Sequence, residues 1–316
     1  MKGLTDIPGI RVGHVSDYEA ITGCTAILCE SGAVGGVDIR GSATGTEEIA
    51  TLDPGHVTPQ VHGILLAGGS AFGLEAASGV RRFLERRGVG YPTGAAKVPI
   101  VPAAILYDLG IGKADVRPTL AMGEAAAAAA TDGTVKEGCV GAGAGATIGK
   151  IFGMNQAMKS GLGSFTVTLP GGVLVSSMAA VNALGDVRDP ATGRIVAGAR
   201  KAADSREFAD TVEQMKRGLG PGGVGRGNTT LVVVATNAKL TKVQAAKLAQ
   251  FGSQGVVRAI SPVNTMFDGD TTFALSVGDK TADIDMLGVA AAEAVAQAIL
   301  RAVRFAKTLG GVPGLG

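Results

Sequence analysis

The stretch LGPGGVGRGNTTLVVVAT, residues 219–236, decides how this chain is read. Leu219 to Gly227 is glycine-rich, favours neither helix nor strand, and reads as a flexible linker. Thr229 to Thr236 is the most strand-like run in the chain, a continuous β-branched stretch suited to a strand covered on both faces. A floppy tether delivering Asn228-Thr229 straight onto a core strand is an odd design, because core strands are ordinarily entered through a short turn. Processing accounts for it. A cut between Asn228 and Thr229 would give Thr229 a free α-amine beside its own hydroxyl, so that one residue supplies both nucleophile and base. Such an amine has a reference pKa of roughly 7.7–8.0, and modest desolvation leaves it neutral near neutral pH. Taken by itself, the same dipeptide is more often only a strand start.

Outward from this stretch, sheet and helix patterns alternate without a strict repeat, which places the chain in the α/β class. AGGSAFGLEAASGVRRFLERRG, from Ala67, runs from glycines into Ser70 as a cap and then sets Leu74, Ala77, Val80, Phe83 and Leu84 at helical spacing. Arg117 to Asp132 is an alanine-rich helix, and Ser164 to Val181 a hairpin turning at Pro170-Gly171-Gly172. Ala202 to Lys216 reads as an amphipathic helix. Beyond the decisive strand, Lys242 to Gly252 and Ile284 to Lys307 read as helices, with a strand at Thr272 to Val277 between them.

Composition narrows the function classes. The 316 residues are 46% hydrophobic and 18% charged, with 50 glycines and no Trp, a composition of close backbone packing and tight turns. A formal charge of +2, with no basic cluster interleaved with aromatics, leaves no footprint for nucleic acid. The opening MKGLTDIPGIRVGH lacks the apolar run of a secretory signal. Ile284 to Ala306, the most apolar segment, is interrupted by Asp285, Glu293, Arg301 and Arg304, which argues against a membrane span. Cys24, Cys29 and Cys139 are an odd count without zinc-like spacing and read as small buried hydrophobes. A soluble protein of the reducing cytoplasm is expected.

Several side chains are candidates for chemistry. Asp268 and Asp270 flank Gly269 in SPVNTMFDGD and project to one side if the segment is extended. The pair is suited to holding a threonine hydroxyl and an ammonium, or to sharing a proton; the plainer reading is a solvated turn. GAGAGATIGK, Gly141 to Lys150, superficially matches a dinucleotide fingerprint at Gly141, Gly143 and Ala146, but no strong strand precedes it and no helix follows. Ile151 after Gly149-Lys150 excludes a P-loop. A non-enzymatic nucleotide-binding module on this stretch is the weakest reading. Lys150 itself, after so many glycines, is placed to approach a backbone-lined pocket. His14, His56 and His62 show no ligand pairing, and neither a metal nor another cofactor is expected. Asn182, ending a strand in AAVNALGD, is a candidate amide donor to an oxyanion, although an Asn turn is the commoner role.

HGILLAGGSAFGLEAASGV (62–80), VPIVPAAILYDL (98–109), GAGAGATIGK, VNALGD (181–186), GNTTLVVVATNA (227–238) and FDGDT (267–271) together resemble the L-aminopeptidase/D-esterase family in order and spacing over nearly the whole chain. That family includes β-peptidyl aminopeptidases and nylon-oligomer hydrolases and cleaves itself just before a Ser or Thr nucleophile. The resemblance implies a four-layer αββα sandwich and a single catalytic domain over 1–316. It implies an α-chain of 1–228 ending at Asn228 and a β-chain of 229–316 opening on Thr229. It further implies Asn182 at the oxyanion, Lys150 near the nucleophile, Tyr107 in the substrate pocket, and Asp268 and Asp270 as the acidic pair. The β-aminopeptidase branch resembles Ser-Gly-Glu where this chain has Asp268-Gly269-Asp270, which distances the chain from β-peptide substrates. The expectation is an aminopeptidase or amidase acting on small peptides or amides through an acyl-Thr229 ester, assembled as a tetramer or larger homo-oligomer of αβ units. The alternative is an acyl transferase resembling ornithine acetyltransferase, which also cleaves itself before a Thr.

Overall fold

One strand belongs to two sheets. β2, Thr22–Ile39, runs for 18 residues, and its register against β4, Val61–Ala67, shifts between Leu28 and Ala33, where Gly32 takes a φ of 86°. Its first half pairs with β1, Arg11–Asp17, and with β4, whereas its second half pairs with β9, Thr271–Lys280. The other strands of the nine-stranded arrangement are β3, Thr46–Glu47; β5, Ala103–Ile105; β6, Leu162–Leu169; β7, Val173–Asn182; and β8, Thr229–Ala238. Their order is β6-β7-β8-β9-β2-β4-β5-β3, with β1 beside β2. The computed structural model describes residues 1–220 and 227–316. Most of the linker expected over 219–227 therefore lies outside the described residues.

Period-2 alternation divides the core. In β8, Leu231, Val233 and Ala235 join Ile27, Ile64, Leu66 and Phe273 in a cluster between the two halves of the sheet. Val232 and Val234 face the other way, onto Leu248 and Val256 of α4, Lys242–Ala259, and Leu287, Val295 and Ile299 of α5, Ile284–Arg304. On the far side, Ala26, Leu28, Leu65 and Ala103 pack on Val80 and Leu84 of α1, Glu75–Arg86, and Ala126 and Ala127 of α2, Leu120–Ala128. Helix, sheet, sheet, helix is the expected αββα layering. By length and composition α5 would pass as a membrane span, so its charges do not exclude one. It is a core helix here, with 72% of its most apolar window buried.

Three local expectations change. The helix expected over 202–216 shrinks to α3, Thr211–Lys216. The buried Asp186 carboxylate draws in the backbone N–H groups of Ala199 (2.8 Å) and Thr211 (2.7 Å), while the Arg200 guanidinium holds the Ala203 carbonyl, so side chains take up the backbone groups a helix would need. Ser70 makes no capping hydrogen bond. It sits at a φ of 54° and opens a 3₁₀ turn, Ser70–Leu74, ahead of α1. The GAGAGATIGK segment forms a 3₁₀ turn, Gly141–Gly143, and a two-residue strand, Thr147–Ile148. The N–H groups of Gly143, Ala144, Gly149 and Lys150 are spent on Val140, Gly141, Gly185 and Leu184 carbonyls, which leaves none of these four for a phosphate and removes the nucleotide-module reading.

The helices sit directly on strand backbone. A Cβ at Gly163 of β6 would lie 2.1 Å from the Ala298 carbonyl oxygen and 2.4 Å from the Ala302 nitrogen of α5. Gly163→Val should therefore lift α5 off the sheet and lower the unfolding free energy by about 1–3 kcal/mol or more, read as a lower urea midpoint. An unchanged midpoint would contradict this packing.

Candidate active site

The pairing of β8 with its neighbours assembles the site. In the antiparallel register of β7 with β8, Asn182 lies opposite Thr229. In the parallel register of β8 with β9, Leu231 lies opposite Thr271, which carries Asp268-Gly269-Asp270 alongside residues 228–230. Asn182, Thr229, Asn228, Asp268, Asp270 and Lys150 are all buried, and Tyr107, 41% exposed, stands at the rim.

The Asn228 carbonyl is held from two sides. Thr229 Oγ1 donates to the Asn228 carbonyl oxygen at 2.5 Å, and the Gly269 N–H donates to the same oxygen at 2.7 Å. Gly269 must be glycine, since a Cβ there would lie 2.7 Å from Thr229 Oγ1 and 2.8 Å from the Ala43 carbonyl oxygen. The Asn182 side chain makes its hydrogen bonds elsewhere than to the Asn228 carbonyl. Its Nδ2 donates to the Tyr107 carbonyl (2.9 Å) and the Gly227 carbonyl (3.2 Å), while its Oδ1 accepts from Thr147 N (3.0 Å) and Lys150 Nζ (2.9 Å). Donors on one side and acceptors on the other set the orientation of the amide. Lys150 Nζ also donates to the Asn182 carbonyl (3.0 Å) and to the Gly227 carbonyl (3.2 Å).

The two carboxylates are occupied by neighbouring N–H and hydroxyl donors rather than by Thr229. Asp270 accepts from Thr230 N (2.6 Å) and Asn264 N (3.0 Å), and Asp268 accepts from Thr265 N (2.9 Å) and Thr265 Oγ1 (2.6 Å). Burial, and then repulsion from Asp268, push the Asp270 carboxyl up to about 7, against the pull of its backbone donors. Burial lowers the Lys150 ammonium to about 7, opposed by attraction to Asp268, Asp270 and Asp108. Its three carbonyl-type acceptors match the three N–H bonds of an ammonium, so geometry supports the charged form that desolvation disfavours. Nearby, Lys159 is fully buried, donates to the Ala146 and Ser160 carbonyls at 2.6 and 2.8 Å, and is lowered to about 8 by burial.

The expected site residues thus gather in one place, joined by three that sequence reasoning passed over. Gly269 acts through its backbone and carries no side-chain signal. Thr265 fixes Asp268. Asp108, adjoining Tyr107, accepts from Gly69 N (2.6 Å) and Thr22 Oγ1 (2.7 Å) and holds the loop that presents the Tyr107 carbonyl. The histidines are dispersed: His14 meets Thr25, His56 meets Thr58 and His62 meets Ile100. Among the described residues no group of three or more His, Cys, Asp or Glu has a metal-holding arrangement.

An αββα sandwich with a buried threonine at the head of an inner strand has the N-terminal-nucleophile hydrolase fold. L-aminopeptidase D-Ala-esterase/amidase from Ochrobactrum anthropi superposes with a TM-score of 0.74 at 20% identity, covering 99% of this chain and 88% of that one. A Burkholderia sp. beta-aminopeptidase gives 0.70 at 23% identity, covering 100% and 91%. The model of peptidase family S58 matches residues 2–315, and the chain belongs to that family. An uncharacterized aminopeptidase of Mycobacterium bovis is 39% identical over 99% of this chain and 96% of its own length. A 6-aminohexanoate-oligomer endohydrolase of Kocuria sp. is 32% identical over 95% and 85%. The protein is accordingly a hydrolase.

The lowered Lys150 has a consequence for stability. Between about pH 7 and 10.5 the unfolded chain holds a proton on this lysine that the folded chain lacks, so its penalty is full below pH 7 and is relieved as pH rises. In a Thr229→Ala background, the stability of the parent relative to a Lys150→Met variant should rise from pH 7 to pH 10. A difference in urea midpoints that does not change with pH would refute the assignment.

Proposed function

We propose that the chain cuts its own Asn228-Thr229 bond and then works as a threonine aminopeptidase or amidase on small peptides and amides. The observation that carries this reading is the Asn228 carbonyl oxygen, contacted at once by the Thr229 hydroxyl and the Gly269 N–H. In self-cleavage Thr229 Oγ1 adds to the Asn228 carbonyl carbon and negative charge collects on the carbonyl oxygen, where Gly269 already donates. The C–N bond breaks, the nitrogen takes the hydroxyl proton and becomes the Thr229 α-amine, and an ester joins Asn228 to Oγ1. Water then resolves the ester, leaving a carboxylate on Asn228 and a free hydroxyl on Thr229. Preorganised donors of this kind contribute about 10²–10³ in rate.

In the mature enzyme the α-amine takes the hydroxyl proton as Thr229 attacks a substrate amide, and gives it to the departing amine. Asp268 and Asp270, beside the first residues of β8, keep the new ammonium in place and share its proton. Lys150 balances their charge. Relatives named as aminopeptidases and as an oligomer endohydrolase share an amide as the bond broken, which supports amide hydrolysis as the common activity. The reading includes an assembly of αβ units in a reducing cytoplasm, in line with the free thiols of Cys24, Cys29 and Cys139.

Intact-mass measurement with N-terminal sequencing tests the proposal. Wild-type protein should give two chains, the smaller opening Thr229-Thr230-Leu231, and Thr229→Ala a single chain without amidase activity. An active Ala variant, or a wild-type chain that hydrolyses amides while uncut, would overturn it.

A further inference from the structure

Arg200 is a buried cation without a counter-ion. The residue is only 8% exposed, yet among the described residues no carboxylate lies within ion-pairing reach of it, and residues 221–226 hold no acid. Its Nη1 donates to the Ala203 carbonyl and its Nη2 to the Asn155 carbonyl at 2.7 Å, while its Nε is buried with no hydrogen-bond partner. A guanidinium carries five N–H donors, and burying one whose charge and donors are only partly met is costly. Asp204, the nearest acid in sequence, is exposed and lines a second cavity on Arg200 together with Arg206. The first cavity, of about 600 Å³, has no other charged side chain on its wall among the described residues. Ile111, Met154, Val312 and Pro313 make one part of that wall apolar. Gly110, Gly112, Gly310 and Gly311 line it with backbone, and the N–H groups of these four donate to no acceptor among the described residues. Unspent N–H groups beside a guanidinium favour an anion. None of Thr229, Asn182, Lys150, Asp268, Asp270 or Tyr107 lines this cavity, which sets it apart from the candidate active site.

We propose that this cavity is a second ligand site, separate from the reaction centre, that takes a small organic carboxylate. The Arg200 guanidinium pairs with the carboxylate, the glycine N–H groups add donors, and the apolar part of the wall covers a short hydrocarbon body. One buried cation suits a single negative charge, and the apolar wall favours a carboxylate with a carbon chain over inorganic phosphate. Amide hydrolysis itself supplies this class of ligand, since each bond cut releases a carboxylic acid. The inference stands whether or not the chain cuts itself.

Titration calorimetry with hexanoate, hexylamine and inorganic phosphate tests this on the full protein as purified. Hexanoate should bind once per chain, and hexylamine and phosphate about tenfold or more weaker, the scale of one charge-assisted interaction. Arg200→Met should weaken hexanoate by a similar factor. Because Arg200 also ties down the Ala203 and Asn155 carbonyls, Asn155→Asp serves as the second variant. The Asn155 side chain is exposed and makes no hydrogen bond among the described residues, so this change sets a competing carboxylate on the cavity wall and leaves the bonds of Arg200 in place. It should weaken hexanoate about tenfold while amide hydrolysis is retained. No binding of hexanoate at millimolar concentration, an affinity that neither variant changes, or hexylamine or phosphate bound as tightly as hexanoate would each overturn the proposal. So would hexanoate binding lost in Lys150→Met but kept in Arg200→Met, or competitive displacement of an uncharged amide substrate, since either places the anion in the reaction centre.

Discussion

The parallel pairing of β8 with β9 is the constraint on which the site depends. With Leu231 opposite Thr271, the turn ahead of β9 lies alongside the residues ahead of β8, and the Gly269 N–H meets the Asn228 carbonyl. A slip of one residue would turn Leu231, Val233 and Ala235 out of the cluster between the sheet halves and Val232 and Val234 out of the helix-facing one. Both faces of β8 are apolar and buried, so the register that builds the core also brings the Gly269 N–H to the Asn228 carbonyl. Stability and the geometry of the site are specified here by the same hydrophobic alternation.

The buried charges follow from that placement. Lys150, Lys159, Asp108, Asp268 and Asp270 are all nearly inaccessible, and burial of isolated ions would be prohibitive. Each is instead wrapped in hydrogen bonds, the lysines by carbonyl oxygens and the aspartates by N–H and hydroxyl donors. The remaining strain appears as a carboxyl raised and an ammonium lowered toward the same neutral range. Two groups poised in that range let protons be redistributed without moving the backbone.

Much of this was legible before the fold was known. The β-branched run after the glycine-rich stretch marks β8, and the PGG turn marks the β6–β7 hairpin, because each signal lies within a few residues. The fingerprint-like GAGAGATIGK misleads for a physical reason: glycines that bring backbone close to a phosphate also let backbone pack against backbone, and only the partners of the N–H groups distinguish the two uses. The shortened α3 is illegible for a related reason, since Asp186 lies 25 residues from Thr211. Asn182 and Lys150 stand out in their local sequence and Tyr107 through resemblance, but their joint grip on Gly227 is a tertiary fact that no local pattern carries.

The uncut site is nearly self-satisfied: Lys150 and Asn182 spend donors on the Gly227 carbonyl, and Gly269 and Thr229 spend theirs on Asn228. On the self-processing reading, the cut creates a carboxylate and an ammonium in this enclosed space. The ammonium gains two aspartates beside it, whereas departure of the 227–228 end strips acceptors from Lys150, Asn182 and Gly269 together. Buried donors without partners are costly, so the opened site is least stable when empty and is relieved by any ligand that restores carbonyl oxygens at those points. Recognition of an amide chain then needs no feature beyond those that held the precursor: the fold supplies its own first substrate, and the geometry that processes it defines what can follow.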